Sequence, residues 1–299
     1  MQIRQKFSAV SLRFPELAIG VLLLLLYVPL LLHWVDGWLN KTISTEHEYF
    51  SHGLIGLPFA VYVVWINRHR WMQLPDRAHP LGLGLLGLGL GCYLSPLSDW
   101  INLSLPLVLT GLCLWLKGVP GVRLQAFPLL LLLFATPNSI PYLIAPYTLP
   151  LQRFIAGVAG FILLQTGMNV RVDAIYLLVN DRVVEVAPYC AGLKMLFTSS
   201  YVSLMLLYWT GAWVSRTKVA LLLTGTVILS IAANIIRNTF LTFFHGTGQE
   251  SAFEWLHDGW GGDLYSTCLL GLLVVLMQVI DRCIDQPQVE LPISSVSEP

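Results

Sequence analysis

Runs of apolar residues about as long as a bilayer is thick recur along this chain, and nothing constrains its folding more. A hydrocarbon core about 30 Å deep asks for roughly 20 apolar residues per helix. Residues 15–35, 52–66, 81–97, 101–116, 124–137, 191–210, 219–242 and 264–281 are the candidate spans. The background supports them: 56% of residues are hydrophobic and 11% charged, where an average soluble domain carries about 25% charge. A mean hydropathy of +0.69 excludes a soluble enzyme, a nucleic-acid binder and a disordered hub. With 17 basic and 17 acidic residues, no net field draws polyanions.

The chain therefore reads as an all-α polytopic integral membrane protein of about eight transmembrane helices. One transmembrane domain covers residues 1–285, followed by a short cytoplasmic tail over 286–299. The first span is too long, and its flanks too poor in small residues, for a cleaved signal peptide. Eleven of the 17 Lys and Arg residues fall on the amino-terminal side of the alternating spans. They include Arg4, Lys6, Arg68, Arg70, Arg77, Lys117, Arg123, Arg216 and Lys218. By the positive-inside rule that side, with both termini, is cytoplasmic.

Residues 141–168 fit the alternation poorly, because one further span would put Arg216 and Lys218 outside. An interfacial or re-entrant helix on the outer face is expected there, its approach broken by Pro141, Pro146 and Pro150. Beyond it, 170–173 and 179–186 alternate like short strands or a hairpin.

Gly82, Gly84 and Gly87 formally match a dinucleotide fingerprint, but they lie in a Leu-rich span with no βαβ context. Helix packing is the expected use of these glycines, with Gly87 and Gly91 as a GxxxG pair. The five cysteines include no CxxC pair, so zinc ribbons and thioredoxin chemistry find no support, and no metal or organic cofactor is indicated. Cys190 differs from the other four in lying at the outer end of a span among polar neighbours. A lone thiol there is either incidental or reactive.

Arg237 stands inside the apolar stretch 235–240, where insertion costs at least about 2.5 kcal/mol unless the charge meets a polar cavity or a partner. Asn234, three residues earlier on the same helical face, is placed to brace it. Snorkelling to the interface is the plainer account. The loop that follows carries His245 and His257, the latter leading into Gly259, Gly261 and Gly262. The topology puts Cys190, Arg237 and His257 on one outer side: a nucleophile, a cation and a base. A neighbouring cation raises the thiolate fraction. The imidazole can protonate a leaving amine, and a guanidinium can donate to an oxyanion. Acyl transfer at a peptide bond suits these parts, and His245 stays open as the alternative base.

At these residues the sequence resembles the exosortase/archaeosortase family of polytopic membrane transpeptidase-like proteins. Residues 187–194, with Cys190, Gly192 and Lys194, look like its cysteine box, 234–238 like its arginine box, and His257 like its histidine position. The stretch 49–53, with His52, and the order of 136–138 and 150–152 are similar to further family features. The resemblance covers roughly residues 45–280. Ala191 stands where many members carry Ser, which points to a subfamily, the cyanobacterial one.

The resemblance implies a cysteine peptidase or transpeptidase in the bacterial inner membrane, with its active site on the outer, periplasmic face. Its targets would be exported proteins whose C-terminal sorting tail holds a Pro-Glu-Pro motif, a helix and a basic cluster. Cys190 would form the thioester, His257 serve as acid and base, and Arg237 stabilise the oxyanion. Read from position, His52 at the outer end of the second span borders the substrate or is an interfacial histidine. Asn234 and Lys194 are the further substrate-side candidates, with outward snorkelling the plainer account of Lys194. Membrane lipids and an accessory protein are the further partners expected; nucleic acid is not. The rival readings are a transporter with Arg237 as its functional charge, or a non-catalytic scaffold with an inert Cys190.

Overall fold

The computed structural model describes residues 14–39, 49–180, 182–186, 192–257 and 259–284. They fall into two compact units, 1–138 and 139–299. The first contains α1 (Phe14–Leu39), α2 (Gly53–Gln73), α3 (Pro80–Tyr93) and α4 (Ser98–Ala135). The second contains α5 (Ile140–Ile144), a 3-10 turn (Ala145–Thr148), α6 (Leu149–Gln165), strands β1 (Val170–Asp173), β2 (Tyr176–Val179) and β3 (Arg182–Glu185), then α7 (Leu193–Thr210), α8 (Arg216–Gly246), α9 (Glu250–His257) and α10 (Trp260–Ile284).

In the first unit α4 is two arms, 98–117 and 119–135, folded back on each other at Gly118 (φ 63°, ψ −157°). A Cβ on Gly121 would stand 2.9 Å from the Cys113 carbonyl oxygen, whereas eight residues of straight helix would separate them by about 12 Å. The arms correspond to the separate candidate spans 101–116 and 124–137. Asn102 ties three pieces together: Trp34 of α1 donates to its Oδ1 at 2.7 Å, and its Nδ2 donates to the Pro137 carbonyl at 3.0 Å. Beside the reversal, Lys117 is buried and donates to Asp76 Oδ1 at 2.5 Å and the Leu74 carbonyl at 3.0 Å.

Only glycine readily holds the backbone angles of Gly118, and a Cβ there would meet the Arg77 carbonyl at 2.9 Å. Gly118→Ala is expected to cost about 1–3 kcal/mol, read as a lowered melting temperature in detergent or nanodiscs.

The packing use of the α3 glycines holds, but at other positions than the GxxxG pair. Added Cβ atoms on Gly82 and Gly89 would meet Trp115 N and Val108 Cγ2 at 2.6 Å, whereas Gly87 and Gly91 have nothing within 4 Å. Residues seven apart return to one helical face, which 87 and 91 do not share with them here.

In the second unit the three strands form an antiparallel meander. Positive φ at Ala174 (54°) and Asn180 (48°) allows its tight turns. The middle strand went unseen in the sequence, because Tyr-Leu-Leu-Val does not alternate. Leu177 and Val179 seal the sheet against Ile155, Ala159 and Leu163 of α6 and Ile235 of α8. On the far side, Leu207, Leu222, Met277 and Ile280 join α7, α8 and α10.

Five runs among the described residues are long and apolar enough to cross a membrane: 18–39, 98–135, 140–165, 216–246 and 260–284. This all-α polytopic character matches the sequence reading, although the helices do not divide as the candidate spans did. The folded-back α4 is one run here, and α3 has 14 residues. Residues 140–165, expected at the outer interface, form a run with enough length and hydropathy to cross. The three prolines do not break it, since each falls in the first turn of its own helical piece. A missing N–H is harmless there.

Candidate functional site

The sheet brings the chain to one side of the site. After β3, the Val186 amide donates to the Ile175 carbonyl at 2.9 Å, and Val186 is fully buried. Residues 187–191 lie outside the described residues, and with them Cys190 and Ala191. The chain is described again at Gly192 (φ +80°), whose carbonyl accepts the Leu196 amide at 2.8 Å as α7 begins.

Gly192 is the contact between two of the sequence motifs. A Cβ on it would stand 2.7 Å from Cγ of Asn234, so Gly192 lies directly on the arginine-bearing helix. Asn234 is buried, and its carbonyl accepts from Asn238 Nδ2 at 2.9 Å. Lys194, also from the cysteine motif, sits half-buried in the first turn of α7.

Arg237, one turn beyond Asn234, binds the third motif. Its Nη2 donates to the His257 carbonyl at 3.1 Å and, at 3.4 Å, to that of Leu256. These are the last carbonyls of α9, which have no partner within the helix, and a cation is favoured at that end of the dipole. Arg237 thus meets protein acceptors within its own unit. The glycines after His257 make the approach possible: a Cβ on Gly261 would be 2.4 Å from the Trp255 ring, and one on Gly262 2.8 Å from the Leu256 carbonyl. Arg237 Nε is buried with no hydrogen-bond acceptor among the described residues. A guanidinium has five N–H donors, so this one retains capacity for an arriving anion.

The two histidines share one phenyl ring. Phe253 stacks on His257 with centroids 5.1 Å apart and planes at 10°, and meets His245 at 5.2 Å and 49°. His245 Nδ1 lies 3.3 Å from Glu250 Oε2, and Glu250 also pairs with Arg182 of β3. Arg182 donates in addition to the His245 carbonyl at 3.1 Å, and Asn180 Nδ2 to that of Gly246 at 3.0 Å. The sheet thus clamps the α8–α9 corner and holds Phe253 beneath the imidazole. Glu185 of β3 is exposed and paired in register with Tyr176.

Sequence reasoning missed Arg182, Glu250 and Phe253. The available signal was a carboxylate five residues after a histidine, across a glycine-bearing turn. His52 is a buried member of the first unit, its Nε2 3.0 Å from the Phe134 carbonyl.

The hydrogen bond from Arg182, followed by that from His245, holds the Glu250 carboxyl below its usual range. A depressed carboxylate stabilises the folded state above its unfolded pKa, near 4, and loses that contribution as pH falls through the folded value. The clamp is therefore expected to persist through neutral and mildly acidic pH. Glu250→Gln should flatten the fall of melting temperature below about pH 4, measured as a pH series on both proteins.

A family model described as transmembrane exosortase (Exosortase_EpsH) matches residues 38–274. No curated protein and no solved structure matches the chain.

Proposed function

The chain belongs to the transmembrane exosortase family, and from that premise we propose that it removes C-terminal sorting tails from exported proteins through a thioester on Cys190. Membership supports a membrane protein-sorting enzyme acting on exported proteins with such tails. The finer reading rests on one observation. Gly192, two positions from Cys190, packs on Asn234, and one turn on Arg237 holds the carbonyl of His257.

In the proposed reaction the Cys190 thiolate attacks the carbonyl carbon of the scissile peptide near the Pro-Glu-Pro motif. Negative charge moves to the carbonyl oxygen, where Arg237 donates from a setting poor in competing water. The C–N bond then breaks, and the His257 imidazolium gives its proton to the leaving amine. Water or an amine next attacks the thioester, His257 takes its proton, and Cys190 leaves as thiolate. His257 is preferred to His245 because it is the residue whose carbonyl Arg237 holds. His52 and Lys194 are assigned to the substrate path by their sequence positions alone.

On this reading the enzyme is multi-pass in the inner membrane, works at the outer face and keeps both termini in the cytoplasm. On the same reading, Ala191 points to the cyanobacterial subfamily. The test is a reporter bearing a Pro-Glu-Pro–helix–basic tail, co-expressed with the protein and weighed by mass spectrometry. Loss of the helix and basic end, with hydroxylamine capturing the new C-terminus as a hydroxamate, supports the reading. Cleavage without hydroxamate argues against an acyl-enzyme.

A further inference from the structure

The first unit contains an apolar cavity of about 510 Å³ between α2 and the two arms of α4. Leu57, Val61 and Val64 line it from α2, and Leu109, Leu112 and Leu129 from α4. Val61 is 69% exposed and Val64 44%, so the slot has an open side along α2. The lining of α2 continues to Trp71, fourteen residues beyond Leu57, which makes the slot about 21 Å long.

The polar side chains Arg68 and Gln125 line this slot at one end. His52 Nε2 lies 3.0 Å from the Phe134 carbonyl, and Asn67 Nδ2 donates to the Leu124 carbonyl at 3.2 Å. These contacts run α2 antiparallel to the second arm and put Arg68 level with Gln125. Both residues line the cavity. Gln125 is 5% exposed, and its Oε1 makes no hydrogen bond among the described residues. Arg68 lies over the ring of the exposed Trp65, 4.2 Å from its centroid, and donates through Nη1 to the Trp65 carbonyl at 2.8 Å. A Trp and an Arg side by side on an apolar helix mark the headgroup level of a bilayer.

We propose that this slot holds one acyl chain of an anionic phospholipid, with the lipid phosphate at Arg68 and a headgroup hydroxyl at Gln125. Size and charge select that occupant. A single leaflet offers hydrocarbon about 15 Å deep, which the slot accommodates lengthwise. A transmembrane helix, about 10 Å across and 30 Å long, displaces roughly 2,400 Å³, several times the cavity. The same end of the unit carries Arg70, Arg77 and Arg123, besides Lys117, whose charge Asp76 balances. That charge repels the basic end of a sorting tail and attracts a phosphate. Arg68 spends one donor on Trp65 and has others for phosphate oxygens, while Gln125 offers an acceptor to a headgroup hydroxyl. The proposal stands independently of the Cys190 chemistry.

The test uses the full chain in nanodiscs of equal phosphatidylglycerol and phosphatidylcholine, released into mild detergent and read by native mass spectrometry. Wild type is expected to retain one phosphatidylglycerol. Arg68→Gln should lower that retention at least about tenfold, as expected for a charge-assisted contact. Ala60→Trp, which fills the slot from a buried lining position, should remove the lipid altogether. Arg68→Gln carries the test alone if the Trp variant fails to fold. Wild type with no retained lipid, with both lipids in bulk proportion, or with phosphatidylglycerol equally retained by Arg68→Gln overturns the assignment. Displacement of the lipid by a synthetic sorting-tail helix would overturn it as well.

Discussion

A Cys190→Ala protein is expected to leave the reporter tail intact, with processing reduced at least about 10⁴-fold, since removal of a covalent nucleophile eliminates the reaction path itself. Cys190→Ser should recover little, because a hydroxyl has a far smaller ionised fraction than a thiol at neutral pH. His257→Ala should approach the same floor, since residues that act as one unit are not additive. The melting temperatures of all three should match wild type. Tail removal that survives Cys190→Ala would end the thioester mechanism while leaving the family assignment intact.

The second large effect is expected at Arg237. Arg237→Gln should lower processing by about 100- to 1,000-fold, the usual consequence of removing a preorganised oxyanion donor. Arg237→Lys should recover part of this, because an ammonium keeps the charge but lacks the planar fork needed to hold two carbonyls and donate elsewhere. Two roles are superposed here, and hydrogen exchange separates them. If Arg237 serves chiefly as a clasp on α9, exchange at the Gly259 and Gly262 amides rises in step with the lost activity. Unchanged exchange with lost activity assigns the deficit to charge stabilisation.

Much of this was visible in the sequence because its signals are local. The apolar runs stand out, and the two arms of α4 were separable at 117–123 because Lys117 and Arg123 interrupt the hydropathy. The association of the arginine and histidine motifs followed from topology, since both flank the α8–α9 corner. What stayed hidden depends on distant partners. Arg182 and Glu250 are 68 residues apart, and neither is unusual where it stands. The stacking of His257 on Phe253 follows from α9 being a helix, since four residues bring two rings to one face, and the sequence had been read there as a loop. The glycines of α3 showed the other difficulty: packing was the right use, but which glycines pack depends on the partner helix.

The reversal at Gly118 also bears on how the protein is made. Lys117 would be an unaffordable charge if its arm entered the bilayer alone, yet its partner Asp76 precedes it by 41 residues. Asp76 is therefore already synthesised when Lys117 leaves the ribosome, and the ion pair can form before the second arm exists. Growth of that arm then closes Asn102 onto Pro137. The Lys117–Asp76 pair can thus form as the chain emerges, whereas His52, Asn67 and Asn102 must wait for the Phe134, Leu124 and Pro137 carbonyls that arrive with the second arm.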